Sequence, residues 1–453
     1  MVPAVRIVVD GRMLGWTGIG RYTRRLLQEL AAIDRTDEFV VTVRRADLAT
    51  WEPPGPNVTP VVADLRPHRV REQLAMPVIL RRLRPDLVHF PHYNVAVGHR
   101  GPFVVSVQDL TMLRFPSRPG ASPAVRLNAV VKHAVGTSTV RWATSHARLV
   151  LTPSRFVAGD LARTFGLPAA RTVPIHLGVD PPDAAGPAAS AAAGRSGDGT
   201  DLWLGDATSQ VPGVPPGAPF LLHVGNMFPH KNLPVAVAAI ERLAGDNVHL
   251  VLTGADDPWC ARLRAAVDGS PARHRVVFTG PVSDTQLSWL YRHAALLVLP
   301  SLSEGFGLTG LEAMVHGLPV LAARSSCLPE VYGDAAAYFD PGDPAELAEA
   351  AATLLGDQSR RQRLADAGRH HASRFSWRAT AEATLACYRA AAAGAPAPPG
   401  HTVAPAITVP PAITVPPATV APTTVAPTTV PPTTVPTTAP PGPDEPVDGG
   451  GRP

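Results

Sequence analysis

Two carboxylates, Glu304 and Glu312, flank a glycine-rich turn in SLSEGFGLTGLEAMVHGLPVL, residues 301–321. Two nearby acids first suggest a general acid and base, but the residues around them give the two different work. The apolar run ALLVLPS closes at Ser301, so Glu304 falls at the carboxyl edge of a strand, where open parallel sheets bind ligands. Glu312 falls inside the next helix among Leu311, Ala313 and Met314, where an idle carboxylate is costly. A cap or ion pair within the helix is the plain alternative for it. Between the two acids, the amides of Gly307, Leu308 and Thr309 open that helix and can bind a phosphate.

Two further stretches carry phosphate chemistry. In HVGNMFPHKNLPVAV a strand ends at Gly225, Asn226 offers an amide, and Lys231 stands just before a helix, placed to pair its ammonium with a diphosphate. A solvated lysine at a helix start is the ordinary reading of the same residue. In GWTGIGRY, Gly15, Gly18 and Gly20 lie between a strand and a helix, where backbone amides can approach a phosphate; a tight turn explains them equally. The G-x-x-G-x-G spacing is not the dinucleotide fingerprint, and no acid closes a second strand about twenty residues on, which excludes a nicotinamide-dependent oxidoreductase. His89 and His92 in LVHFPHYN are acceptor or sugar candidates at a strand end, with packed or solvated histidines as the alternative. Gln108 and Asp109 follow the strand FVVSV.

Positioning these residues takes alternating strands and helices. VRIVVD, FVVTV, LVHF, FVVSV and LVLTP are short runs of the kind buried parallel strands use, and FLLHVG, VHLVLTG, RVVFTG, ALLVLPS and LPVLAA form a second series. LPVAVAAIERLA and DTQLSWLYRHA fit as helices between them. The fold class is therefore α/β, with two doubly wound parallel-sheet units. The expected boundaries are an N-terminal domain over 1–182, an Ala/Gly/Pro-rich linker or insertion over 183–217, a second domain over 218–375 and a final helix over 376–392. The Pro/Thr/Val tail, 393–453, cannot bury enough surface to offset its ordering entropy and is expected to be disordered.

The chain of 453 residues carries 45% apolar and 17% charged residues, with 51 prolines. Its net charge of +4 hides an asymmetry, because residues 1–180 hold 24 Lys and Arg against 13 Asp and Glu. The basic half calls for an anionic partner, and RPHRVREQLAMPVILRRLRPD mixes arginines with apolar residues as a peripheral contact with an anionic membrane requires. An ordinary solvated face is the alternative, and nucleic acid is not expected, since no aromatic platform is interleaved with the charge. Cys260, Cys327 and Cys387 have no zinc-site spacing. Without a signal-peptide pattern or an apolar run of about 18 residues, a cytoplasmic location is expected, peripheral at the inner face of the membrane.

GNMFPHKNL and the stretch from VVFTGPVSD to AAYFDPGD resemble the donor domain of retaining glycosyltransferases of family 4, which have the GT-B fold. DGRMLGWTGIGRYTRRLL and LTPSRFVAGDLARTFGLPAARTVPIHLGVD are similar to the acceptor domain and domain junction of the same family, so the resemblance runs from about residue 5 to 392 outside the insertion. It implies two Rossmann-like domains facing across a cleft, with the last helix crossing back onto the first. It also implies that Glu304 sits beside the transferred sugar and that Glu312 holds the ribose. Lys231 and Asn226 would meet the diphosphate, joined from the opposite domain by Gly18 and Gly20.

The activity so implied is retaining transfer of a hexose, mannose as the first guess, from a nucleotide diphosphate sugar such as GDP-mannose to a glycan or lipid-linked acceptor. No cofactor and no metal are expected, because no D-x-D pair ends a strand. The family commonly carries His where this chain has Gln108, which cannot take up a proton at neutral pH. The alternative is a catalytically silent nucleotide-sugar-binding or scaffold protein.

Overall fold

The computed structural model describes residues 4–115, 123–182, 211–243, 245 and 247–403, and of residues 123–129 and 132 the backbone alone. Most of the expected linker, and the tail from residue 404 on, lie outside the described residues.

Two parallel sheets organise the chain. The first holds β1 (Arg6–Asp10), β2 (Glu38–Val43), β3 (Val58–Val62), β4 (Leu87–Phe90), β5 (Phe103–Ser106), β6 (Leu149–Thr152) and β7 (Thr172–Pro174), in the order β3-β2-β1-β4-β5-β6-β7. Its helices are α1 (Gly18–Ile33), α2 (Val70–Leu83), α3 (Thr111–Arg114), α4 (Pro123–His146) and α5 (Arg155–Phe165). The second sheet holds β8 (Phe220–Val224), β9 (His249–Thr253), β10 (Val276–Gly280), β11 (Leu296–Leu299), β12 (Val320–Ala323) and β13 (Ala336–Phe339), in the order β10-β9-β8-β11-β12-β13. Around it run α6 (Leu233–Arg242), α7 (Pro258–Asp268), α8 (Asp284–His293), α9 (Leu308–Val315), α10 (Leu328–Tyr332), α11 (Pro344–Gly356) and α12 (Gln358–Ala372), before α13 (Trp377–Ala393) closes the series. Both sheets reverse their winding beside the first strand, β1 or β8, and that reversal opens a crevice at the carboxyl ends of the strands.

Burial on both faces explains the unbroken β-branched runs. Along β1, Ile7 and Val9 enter one apolar cluster and Val8 the other, and all three are fully buried. Three strands, β3, β7 and β13, do not stand out in the sequence. All three are sheet edges, and β3 carries Pro60, which an edge tolerates because its missing N–H faces no neighbour.

The chain passes out of the first domain through residues 175–180 and returns at 375–377, where Val179 N donates to Phe375 O at 3.3 Å. A Cβ on Gly178 would lie 2.1 Å from Trp377 N, so only glycine lets the two crossings touch. From there α13 lies on α1 and on β4, β5 and β6, with Arg389 reaching Asp34 and Asp37 at the end of α1. The expected tail is ordered for its first residues: His176 N donates to His401 O at 2.7 Å, Val403 N donates to His176 Nδ1 at 3.0 Å, and Val403 is buried. Backbone pairing with an otherwise open edge strand holds this segment where composition alone suggests disorder.

His89 on β4 is fully buried, with Nε2 2.8 Å from Ser106 Oγ and Nδ1 2.6 Å from the Tyr388 hydroxyl of α13. Tyr388→Phe leaves that ring nitrogen without its partner, and we expect it to lower stability by about 1–3 kcal/mol. Thermal and urea denaturation of the variant checks this, with an unchanged melting transition as the contrary result.

Candidate active site

The loop after β11 carries Glu304 to the seam between the domains. Its carboxylate meets Lys231 at 2.7 Å, and each side chain is 15% exposed. Lys231 lies at the end of a short turn, Pro229–Lys231, and Asn232 beyond it takes a left-handed conformation (φ +54°) that starts α6. Glu304 N donates to Ser326 Oγ at 3.0 Å, which fixes the loop beneath the carboxylate. Burial pushes the Glu304 carboxyl up, but the adjacent ammonium outweighs it and holds the group below its ordinary value, so it stays ionised at neutral pH.

The first domain closes directly on this loop. A Cβ on Gly305 would stand 1.9 Å from Gln108 O and 3.1 Å from Asp109 Cβ, so the close approach of the two loops demands glycine. Ser154 Oγ donates to Gly305 O at 2.8 Å, and Thr111 Oγ1 lies 3.4 Å from Ser303 Oγ. Asp109 accepts from Thr111 N at 2.8 Å. Burial pushes its carboxyl above the ordinary value, the Thr111 bonds oppose this, and the charge of Glu304 adds to it. His230 lies beside the same pair, its ring 5.8 Å from Phe115 of the first domain, and burial followed by the Lys231 charge pushes its pKa down to about 4.

Glu312 on α9 is held by two other helices, one from each domain. One oxygen meets Arg21 of α1, and the other accepts from the Tyr291 hydroxyl of α8 at 3.0 Å. Arg21 also donates to Asp180 at 2.9 Å, beside Arg25 at the same distance. Gly307 opens α9 with φ +82°, and a Cβ there would lie 2.4 Å from the Tyr332 hydroxyl, which donates to Gly307 O. Leu308 and Thr309 follow, half-buried, in the first turn. Asn226 succeeds Gly225 (φ +137°), and its Oδ1 is buried without a hydrogen-bond partner.

The remaining predicted residues separate. Gly18 begins α1 with open space around it, whereas a Cβ on Gly20 would strike Leu14 O at 2.3 Å, so packing of loop on helix is reason enough for that glycine. His92 borders a pocket in the first domain with Asp10 and Asn94, and burial, with His68 next, lowers its pKa to about 3. His89 is a correction: both ring nitrogens are engaged inside the core and burial lowers its pKa to about 3, so it meets neither acceptor nor sugar. Arg21, Tyr291 and His230 join the site beyond the residues that the sequence marks: Arg21 and His230 adjoin the motifs GIGRY and PHKN, whereas no local signal marks Tyr291.

A second clasp closes the domains. Glu330 accepts from the amides of Arg155 and Phe156, at 2.7 and 2.8 Å, capping α5 from the other domain, and from His176 Nε2 at 3.1 Å. The carboxylate thus adds to the local cap, Ser154, whose Oγ accepts from Val157 N at 3.3 Å.

Two doubly wound sheets closed on one charged seam form the GT-B architecture. Residues 16–182 match the Glycosyltransferase Family 4 profile and residues 206–371 the Glycosyl transferases group 1 profile, and the chain belongs to this family of glycosyltransferases. A D-inositol 3-phosphate glycosyltransferase of Xylanimonas cellulosilytica is 33% identical over 54% of this chain and 57% of its own length. The O-antigen chain mannosyltransferase B of Escherichia coli is 26% identical over 82% of this chain and 96% of its own. The chain spans only 32% to 57% of the length of several curated relatives it matches. The solved sucrose-phosphate synthase of Thermosynechococcus elongatus shares the fold, with a TM-score of 0.65 at 20% identity over 86% of this chain and 100% of that one.

The clasp sets a pH dependence. Burial pushes the Glu330 carboxyl up, but the bonds from His176 and the two amides outweigh it and hold the pKa below 4.5. A lowered folded-state pKa means that the stabilisation is present above the unfolded value and is lost as pH falls through the folded one. In Glu330→Gln one oxygen must serve both amides, so the variant should melt lower than the parent at pH 7, and the gap should narrow below about pH 4.5. Melting curves of both proteins across this range check it, and a gap that widens in acid contradicts it.

Proposed function

We propose that this chain transfers a hexose from a nucleotide diphosphate sugar to a glycan or lipid-linked acceptor, with retention and without a metal ion. The observation that carries the reading is the Lys231–Glu304 pair at the domain seam, opposite Asp109 and Gln108. An ammonium has three donors, so Lys231 can keep Glu304 oriented and still meet the departing diphosphate. The same loop runs into Gly307, Leu308 and Thr309 at the start of α9, whose amides can meet the phosphate. Glu304, held ionised, is no proton donor. It stabilises positive charge developing at the sugar carbon. Ribose hydroxyls take the place at Glu312 that Arg21 occupies here, which frees a second cation at the seam. Gln108 cannot accept a proton, so the acceptor's proton passes to a phosphate oxygen of the leaving group. Mannose is the first sugar to test, because the relative aligned along most of this chain is named a mannosyltransferase.

Glu304→Gln and Lys231→Ala should each lower kcat by about 100- to 1000-fold. The assay is donor turnover on GDP-mannose and UDP-glucose with EDTA present. Unchanged turnover in both variants would sink the assignment of these residues, no turnover in the parent protein would favour a nucleotide-sugar-binding protein without catalysis, and a complete loss of turnover on chelation would sink the metal-free step.

We further propose that α2 rests on an anionic membrane, peripheral to the inner face in a cytoplasmic protein. Val70, Leu74 and Val78 recur along one face of α2 at 80%, 73% and 42% exposure, flanked by the exposed Arg66, Arg69, Arg71, Arg81, Arg82 and Arg84. Apolar insertion and headgroup charge attract the same face. No helix among the described residues is long and apolar enough to cross a membrane. Flotation with vesicles containing phosphatidylglycerol should carry the protein, and Leu74→Glu should reduce the bound fraction. Equal flotation with neutral vesicles contradicts the charge component.

A further inference from the structure

The head of the tail comes back to the domain crossing, and the residues it meets there belong to the Glu330 clasp rather than to the donor site. Over its length α13 carries the chain about 25 Å away from Trp377. Gly394, at φ +67°, ends the helix, and residues 395–403 return to the edge of β7. At about 3.1 Å per residue this segment spans the distance only if it runs nearly straight, as the prolines of APAPPG favour.

Docking is set by three positions. A Cβ on Gly400 would lie 2.2 Å from Pro174 O, so only glycine lets the tail approach β7 this closely. His401 O accepts from His176 N at 2.7 Å, Val403 N donates to His176 Nδ1 at 3.0 Å, and the Val403 side chain enters the apolar core. Thr-Val pairs recur through the tail, but Gly-His precedes only the first of them, Thr402–Val403. The sequence thus marks one place where the tail attaches.

His176 turns that attachment into a constraint. A backbone amide can only donate, so the Val403 N–H requires a bare Nδ1 and puts the ring hydrogen on Nε2. Nε2 is the atom that meets Glu330, at 3.1 Å, and a carboxylate can only accept. The opposite tautomer would turn a lone pair toward Glu330 and set two hydrogens against each other at Val403. The tail amide therefore selects the form of the ring that Glu330 needs, while Glu330 holds the Arg155 and Phe156 amides across the seam. The same ring stacks on Phe375 at 5.7 Å and 12°, and meets Phe306, two residues beyond Glu304, edge-on at 5.5 Å.

We propose that residues 395–403 are a strap on the domain crossing: docked on β7, they fix the His176 ring and through it the Glu330 clasp, so that tail attachment and domain closure are coupled. No substrate enters this coupling, which therefore stands apart from the transfer reading.

Hydrogen exchange on the full chain tests it, read at the peptide that carries the Arg155 and Phe156 amides. Val403→Pro removes the amide donor, and Gly400→Ala sets a Cβ against Pro174 O; both changes are made in the tail. Each variant should speed exchange at that peptide by about three- to tenfold, the protection that one hydrogen bond supplies, while β8 and β11 keep theirs. In His176→Gln the side-chain amide can donate to Glu330 but offers the tail no ring nitrogen, so adding Val403→Pro should change nothing further at the peptide. Unaltered exchange at Arg155 and Phe156 in either tail variant overturns the coupling, as does an equal effect of Val403→Pro in the His176→Gln protein. A rise spread evenly over both sheets overturns it too, because the strap would then serve overall stability alone.

Discussion

A carboxylate at a domain seam must be balanced, and the Lys231–Glu304 pair does this where two sheets meet. Both side chains are 15% exposed, and removing one partner of a pair buried to this degree costs about 3–5 kcal/mol. The ammonium reaches the acid only because the loop after β11 and the turn after β8 leave adjacent strands of one sheet. Closure then depends on Gly305, whose missing side chain lets Gln108 and Asp109 approach. The Glu330 cap on α5 and the Gly178–Trp377 crossing hold the same closed arrangement away from the centre.

The two carboxylates that flank the glycine turn have separate electrostatic surroundings. Glu304 sees Lys231 of its own domain, whereas Glu312 sees Arg21 of the other domain and the Tyr291 hydroxyl. Both acids are thus paired with groups that a charged, hydroxyl-bearing ligand could replace. The positive first domain and the negative second one meet through such pairs, which gives the sequence's charge asymmetry a use inside the molecule as well as on the surface of α2.

Much of the fold is legible in the sequence because buried parallel strands must be apolar on both faces. Runs such as RIVVD and LLVL therefore announce themselves, while the edge strands β3, β7 and β13 lack that double constraint and stay hidden. The site divides along a similar line. Lys231, Glu304 and Gly307 sit in motifs whose local geometry fixes their role, and a strand end followed by a turn is readable from spacing. Arg21 and Tyr291 owe their place to contacts across 291 and 21 positions of chain, and no local pattern encodes those partners. His89 misleads for the same reason: its strand-end position suggests a ligand contact, but Tyr388, distant in sequence, closes over it. The first residues of the tail follow suit, since their order comes from the edge of β7 and from His176 rather than from their own composition.

The central claim is that Lys231 and Glu304 act as one unit. A double-mutant cycle on kcat with Lys231→Ala and Glu304→Gln measures this most directly. Strong non-additivity is expected, with the double variant about as slow as the slower single one. Strictly additive losses would mean that the two residues act independently, and would contradict the account.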